Sequence, residues 1–384
     1  MKNGWEIKTL DQISTNLDSR RVPITKGVRV NGKYPYYGAS GIVDYVAGYI
    51  FDEDALLISE DGANLLARAT PIAFPASGKY WVNNHAHILK FENLTTQRFV
   101  ELFLESIPLN GYITGAAQPK LNQKALNSIP IPVPRLPEQK RIVHILDEIF
   151  EGIATAKADA EKNVQNARAL FESHLQSVFT QRGDGWVETT LEQATAGVFT
   201  GPFGSLLHKS DYVANGIPLV NPAHITDTGI EPDLSKTVSR QTAKRLEGYI
   251  MRKGDIVIGR RGEMGRCALV TEAEDGWLCG TGSFFIKPSS RCDTRYLVRF
   301  LRSCGCRERL EKLAGGAVMP NLSNTALAAL PINLPPLERQ NWIVEEIDNL
   351  ASETQHLESI YERKLAALGS LKKSLLHEAF AGNL

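Results

Sequence analysis

The feature that most constrains this chain is that it is written twice. Gly4-Trp5-Glu6-Ile7-Lys8-Thr9-Leu10 returns as Gly185-Trp186-Val187-Glu188-Thr189-Thr190-Leu191, 181 positions later. Gly115-Ala116-Ala117-Gln118-Pro119-Lys120-Leu121 returns as Gly316-Ala317-Val318-Met319-Pro320-Asn321-Leu322, 201 positions later. The second offset then holds without a gap. It pairs Ala125-Leu126 with Ala326-Leu327, Pro130-Ile131 with Pro331-Ile332, Gln139 with Gln340, Asp147 with Asp348 and Phe179 with Phe380. The second copy therefore carries about twenty extra residues ahead of its Gly316. Solenoids repeat every ~20–50 residues, so two long copies imply one duplicated domain-sized unit and not a repeat array.

Each copy ends in a tail that reads as helix. Prolines 130, 132, 134 and 137, and their counterparts 331, 335 and 336, cannot lie inside a helix. Each lacks an amide hydrogen and clashes with the preceding turn. No proline follows until Pro202 in the first copy, and none follows in the second. Ile347, Leu350, Thr354, Leu357, Tyr361, Lys364, Leu368, Leu371 and Leu375 alternate spacings of three and four, a heptad seam. Leu146, Ile149, Ile153, Ala156, Ala160, Asn163, Ala167, Leu170 and His174 hold the same frame 201 positions earlier, with alanine where the second tail has leucine or tyrosine. Small residues facing large ones let two helices lie close. The stretch Asp147–Phe179 gives roughly 50 Å of helix at ~1.5 Å per residue. The tails are expected to pair with each other, antiparallel if the globular parts sit at opposite ends.

The expected fold class is α+β. Two β-rich domains, residues 1–140 and 185–340, alternate with two long helices, 141–184 and 341–384, that form an antiparallel coiled coil with pseudo-two-fold duplication. Short apolar runs bounded by Gly, Asn, Asp and Pro read as strands. They are Gly41–Val46, Ala55–Ser59 and His87–Phe91 in the first domain, and Ile217–Val220, Asp255–Gly259 and Ser283–Lys287 in the second. A helix over Thr96–Ser106 matches one over Arg295–Leu301. The 384 residues carry 43 basic and 43 acidic side chains, so no whole-chain basic signature is present. By segment, the domains balance at +2 and +3 and the tails at −2 and −3. That polarity fits both a division of labour and ordinary solvated helices. All five cysteines lie between Cys267 and Cys306 without a C-x-x-C pair, as expected for reduced thiols. No signal peptide and no apolar run of ~18–20 residues is evident, so a cytoplasmic, membrane-free protein is expected.

Catalytic signatures are missing. No phosphate loop, G-x-G-x-x-G, H-E-x-x-H or G-x-S-x-G occurs. Asn221-Pro222-Ala223-His224 lacks the aromatic residue with which an adenine methyltransferase motif stacks on its base. Pro232-Asp233-Leu234-Ser235-Lys236 is a poor nuclease match. His85 and His87 read better as strand neighbours than as metal ligands. No catalytic and no metal-binding residues are assigned. What remains are loops mixing basic, amide, aromatic and glycine residues. Gly259–Arg266 presents Arg260, Arg261, Glu263 and Arg266; arginine donates two bonds to guanine, and glutamate accepts from cytosine. Its counterpart holds Ser59, Glu60 and Asn64, with Arg68 beyond. Tyr36 and Tyr37, the run Phe203, Ser205, His208 and Lys209, and the repeated Gln118, Lys120 and Asn321 complete the candidate DNA-binding set. Acidic residues in one loop and arginines in the other fit two units that read different sequences.

The chain resembles the specificity subunit of type I restriction-modification systems over essentially its whole length. The resemblance rests on the alternation of two domains with two helices, and on Ile129-Pro130-Ile131-Pro132-Val133-Pro134-Arg135-Leu136-Pro137-Glu138-Gln139 with its copy Leu330-Pro331-Ile332-Asn333-Leu334-Pro335-Pro336-Leu337-Glu338-Arg339-Gln340. Tyr36-Tyr37-Gly38-Ala39-Ser40-Gly41, Gly201-Pro202-Phe203-Gly204-Ser205, Gly216-Ile217-Pro218 and Gly254-Asp255-Ile256 add to it. The chain departs from the pattern where Arg339 separates Glu338 from Gln340. The resemblance implies two target-recognition domains that each read half of a bipartite double-stranded DNA site. It also implies helices that set the gap and dock two methyltransferase subunits, and two restriction subunits completing the enzyme. S-adenosylmethionine, ATP and Mg are then expected on those partners, with none on this chain. Two alternatives stay open from the sequence: the recognition subunit of another multisubunit restriction enzyme, and a coiled-coil scaffold that binds protein and not DNA.

Overall fold

The computed structural model describes residues 4–115, 117–203, 205–315 and 321–384. The repeated segment Gly316–Pro320, including Met319 and Pro320, lies outside the described residues, as do Ala116 and Gly204. The chain forms two compact units. One comprises residues up to Glu161 together with Glu362–Leu384, and the other comprises Lys162–Tyr361.

The two long helices run over Leu136–Thr180 and Leu337–Ala381. At 45 residues each, they are longer than the proline-free spacing required and span about 67 Å at ~1.5 Å per residue. They begin right after the proline clusters, because proline is tolerated in the first turn but not beyond it. Each entry is fixed by a buried glutamine. Gln139 Nε2 donates to the Pro134 carbonyl at 2.8 Å, and Gln340 Nε2 donates to the Pro335 carbonyl at 2.8 Å. Gln340 also donates to Arg291 O (2.9 Å) and accepts from the Asp293 amide (2.7 Å).

Within each unit, the start of one helix lies against the end of the other. In the first unit, Ile142 and Leu146 share a core with Leu376 and Ala379, and the Lys372 ammonium lies 5.0 Å from the Phe150 ring centroid. In the second, Leu175 and Val178 share a core with Ile343 and Ile347, and Arg168 Nε bonds Glu358 Oε1 at 2.8 Å. The pairing is antiparallel in both units. The predicted seam holds over Leu146, Ile153, Ala156, Ala160 and Ala167 but then slips. Leu170 is 66% exposed, and Leu357 and Leu371 are 43% and 45% exposed. Phe171 and Glu358 are half-buried in place of Leu170 and Leu357. A helix at 3.6 residues per turn drifts ~20° per heptad, so a strict seven-residue frame loses the contact face unless strong supercoiling restores it.

Each β-rich part repeats one topology. Its first strand (Glu6–Thr9; Val187–Thr190) pairs antiparallel with the proline strand just before the long helix (Pro130–Val133; Pro331–Leu334). Four-stranded sheets follow. In the first unit the order is Ser14–Asn16, Ala86–Phe91, Ala55–Ser59, Ala73–Ala76, and in the second it is Gly197–Thr200, Ser283–Lys287, Ile256–Gly259, Cys267–Leu269. The central strands are buried along nearly their whole length, which explains their near-continuous apolar runs. The first unit adds a second four-stranded sheet built on Asn31–Gly38. The second unit has two-stranded pairs instead. The matching helices are Leu94–Ser106, capped by Asn93, and Thr294–Arg302, capped by Asp293. The five cysteines are free thiols.

The packing contacts recur at the sequence offset. Phe99 meets Phe380 edge-on at 5.2 Å, and Phe300 meets Phe179 at 5.6 Å. Arg98 bonds Asp147 at 2.7 Å, and Arg299 bonds Asp348 at 2.5 Å.

Removing the glutamine entry locks tests this account of the helix starts. Q340A is expected to cost about 2–4 kcal/mol, because it strands two carbonyls and an amide, and Q139A about 1–2 kcal/mol. Denaturant unfolding of both variants checks the order.

Candidate nucleic-acid interface

The two candidate loops occupy equivalent places. Each follows the central strand of the main sheet, turns on a glycine with positive φ, and is tied to the segment just before a short capped helix. In the first unit, Gly62 has φ 107° and the Leu121 amide donates to Glu60 O at 2.8 Å. In the second, Gly262 has φ 79° and the Leu322 amide donates to Arg260 O at 2.9 Å. Positive φ is the reason for glycine at both turns.

The chemistry on these matched backbones is reversed in sign. In the first unit Glu60 Oε1 faces Lys120 Nζ at 3.1 Å and Oε2 faces Arg21 at 2.5 Å. In the second, Arg260 Nε and Arg261 Nε both donate to Asn321 Oδ1, at 3.2 and 3.4 Å. Arg260 also lies over the Phe284 ring at 5.4 Å. Partial burial and the neighbouring Arg261 charge push its pKa below the ordinary arginine value. The Gly201 loop joins this end of the sheet: Gly201 N donates to Ser283 O and Arg260 N to Gly282 O, both at 3.0 Å. A Cβ on Gly201 would stand 1.9 Å from the Gly280 carbonyl oxygen, so only glycine allows this approach. Phe203 is 59% exposed, and Ser205, His208 and Lys209 are exposed beside it.

Several candidates are supports, buried or half-buried against their neighbours. Tyr36 is buried; its hydroxyl accepts from the Ile24 amide at 3.0 Å, and Arg29 covers its ring. Tyr37 packs on Phe74 and Tyr80. Ser59 is buried and donates to the Ala39 carbonyl. Asn64 closes its own loop through Thr70. Arg68 is spent on the carbonyls of Leu104 (3.2 Å) and Ile107 (2.9 Å), at the end of Leu94–Ser106. A sequence pattern cannot distinguish an arginine that caps a helix from one that faces DNA. Gln118 and Lys120 are exposed. Glu263 and Arg266 pair with each other at 2.5 Å. They line an open cleft of about 670 Å³ together with Arg299, Arg307, Ser352 and Gln355.

Residues missed by the sequence reading form a buried polar cluster under the first loop: Asp18, Arg21 and His87. His87 Nδ1 lies 2.5 Å from Asp18 Oδ2, and its Nε2 lies 2.7 Å from Leu121 O. Burial alone would raise the Asp18 carboxyl, but the His87 hydrogen bond and charge, the Ile88 amide and Arg21 together hold it below the ordinary aspartate value. Burial likewise opposes ionisation of Glu60, and Arg21, His87 and Lys120 overcome it. No alternation marked His87, because its strand is buried on both faces: Ala86 and Ile88 lie in one core, and Leu89 and Phe91 lie in another.

A family model of the type I restriction modification DNA specificity domain matches residues 2–164 and 204–363. The chain belongs to this family. It is 27% identical, over 92% of its length and 89% of the relative, to a Haemophilus influenzae protein named as a putative type I restriction enzyme specificity subunit. It is 21% identical to the EcoDI specificity subunit of Escherichia coli, over 92% of this chain and 83% of that one. The fold matches a chain from a structural study of assembly and conformational transition in a type I restriction-modification system, with TM-score 0.75, 16% identity, and 100% and 99% of the two chains covered. It also matches the HsdS subunit of Thermoanaerobacter tengcongensis, with TM-score 0.61, 17% identity, and 100% and 98% covered.

The lowered Asp18 and Glu60 carboxyls predict asymmetric acid sensitivity. A carboxyl whose folded value is depressed stabilises the fold above its unfolded value and loses that contribution as pH falls through the folded one. The first unit is therefore expected to lose stability below about pH 4, whereas D18N loses less further stability in acid. Hydrogen exchange resolved by unit between neutral and acidic pH checks this.

Proposed function

We propose that this chain supplies DNA sequence specificity to a type I restriction-modification enzyme in the cytoplasm, each β-rich unit reading one half of a bipartite target. The observation that carries the reading is the pair of matched loops with different chemistry: exposed Lys120 held by the buried Glu60 in one, and Arg260, Arg261 and Asn321 in the other. One backbone frame with two sets of donors and acceptors is what two different half-sites require. Two guanidinium groups held side by side repel each other, and phosphates or the acceptor-rich edge of guanine relieve that repulsion. In this reading the exposed Phe203, Lys209, Gln118 and Lys120 add stacking and backbone contacts.

The long helices set the spacing between half-sites and dock two methyltransferase subunits, with two restriction subunits completing the enzyme. Catalysis belongs to those partners, which carry S-adenosylmethionine, ATP and Mg. No group of three or more metal-ligating side chains occurs among the described residues, and no described helix is long and apolar enough to cross a membrane. A net charge of zero predicts weak DNA binding by the chain alone, since phosphate neutralisation supplies most non-specific affinity.

Sequencing methylated adenines in a host expressing the chain with its modification partner tests the reading. A two-part motif with a fixed gap is expected, and a single continuous motif overturns it. R260A or R261A is expected to relax one position of one half-site at a cost of ~1–3 kcal/mol if the arginine reads a base. If it holds a phosphate, mainly the salt dependence should fall. A four-residue insertion in one long helix is expected to change the accepted gap, and an unchanged gap removes the spacing role.

A further inference from the structure

The first unit holds a buried charge cluster that has no counterpart among the described residues of the second. His87 is 1% exposed and Asp18 8%. Both ring nitrogens of His87 face acceptors: Asp18 Oδ2 at 2.5 Å and the Leu121 carbonyl at 2.7 Å. A neutral imidazole has one N–H, so either tautomer would set a lone pair against one of these oxygens. A protonated Asp18 would relieve this only by giving up an acceptor. Yet Asp18 already accepts from the Ile88 amide (2.9 Å) and from Asn16 Nδ2 (3.2 Å), with Arg21 3.5 Å away. That donor set fits a carboxylate, which leaves His87 as the imidazolium.

The ring sits at the base of the loop pair. Leu121, which accepts from His87, follows Lys120 and donates its own amide to Glu60 O. Glu60 Oε2 is 3.8 Å from His87 Nδ1 and 2.5 Å from Arg21, and Glu60 Oε1 holds Lys120 at 3.1 Å. The charged groups around the ring are thus Asp18 and Arg21 from the turn after the edge strand, Glu60 from the end of the central strand, and Lys120 beyond Glu60. The pair His85–Asp61, at 2.8 Å, lies beside them, and His85 is half exposed. In the second unit the register puts Phe284 opposite Ile258, just as His87 lies opposite Ile58. That position cannot titrate.

We propose that His87 is a positioning residue for the first half-site: as an imidazolium it fixes Leu121 and the Glu60–Lys120 pair, so reading of that half-site weakens as the ring loses a proton while the second half-site is unaffected. The inference rests on the DNA-reading role of the matched loops. Loss of one ring N–H turns a charge-assisted bond into a lone-pair repulsion in a buried site, and the loop segment carrying Lys120 shifts.

The test is selection from duplexes randomised in both half-sites, using the chain assembled with its modification partner, at about pH 6, 7 and 8.5. Selectivity at the first half-site relative to the second is expected to fall about tenfold or more across the series. H87Q is expected to show the low ratio at every pH, and H85Q to keep the wild-type profile. Equal pH response of both half-sites, or a wild-type profile in H87Q, overturns the proposal. Absence of selection at either half-site at any pH would instead overturn the DNA-reading role. Should H87Q not fold, ¹⁵N signals of the wild-type ring decide: two protonated nitrogens at neutral pH are expected, and one overturns the inference.

Discussion

The rest of the structure depends on how each β-rich part grips the helices. It packs on the first turns of the helix that follows it and on the last turns of the other. In the first unit the Leu94–Ser106 helix sets Phe99 against Phe380 and Arg98 against Asp147. In the second, Thr294–Arg302 sets Phe300 against Phe179 and Arg299 against Asp348. The exposed ion pairs contribute at most about 1 kcal/mol each. The buried aromatic edges contribute more and fix the geometry. Neither copy could build this contact alone, because each needs a helix end that the other supplies. Duplication therefore completes the fold as well as doubling the reader.

The same constraint separates what is shared from what varies. The main sheet, its flanking helix, the proline strand and the buried glutamine recur with matching hydrogen bonds. The regions free of helix contact differ: a second four-stranded sheet in one unit, two-stranded pairs in the other. Divergence sits at the loop end of the main sheet, where Glu60 and Lys120 stand in one copy and Arg260 and Asn321 in the other. Changes there leave the helix grip undisturbed.

Support under those loops has also diverged. The first unit holds its loop through buried charge, with His87, Asp18, Arg21 and Glu60 satisfying one another. In the second, Arg260 lies over Phe284, and Arg260 and Arg261 both donate to Asn321. Buried charge is costly to desolvate but is directional, so it fixes loop geometry tightly when every partner is in place.

The duplication, the tail helices, the two central strands of each main sheet and the equivalence of the two loops are written along the chain, whereas the edge strands Ser14–Asn16, Ala73–Ala76, Gly197–Thr200 and Cys267–Leu269 are not. The former follow from local signals: repeated identities, proline exclusion, apolar period and glycine turns. Which polar residues face outward was settled by packing alone. Arg68 and Arg261 look alike as letters, yet one caps a helix end and the other is exposed beside Asn321. The seam past Ala167 was settled there too, because helix drift shifts the contact face by one residue and leaves Leu170 in solvent. Hydrogen-bond partners that lie far apart in sequence, such as Asp18 and His87, leave no local trace. Burial and partner choice are properties of the packed chain, and no pattern along the string encodes them.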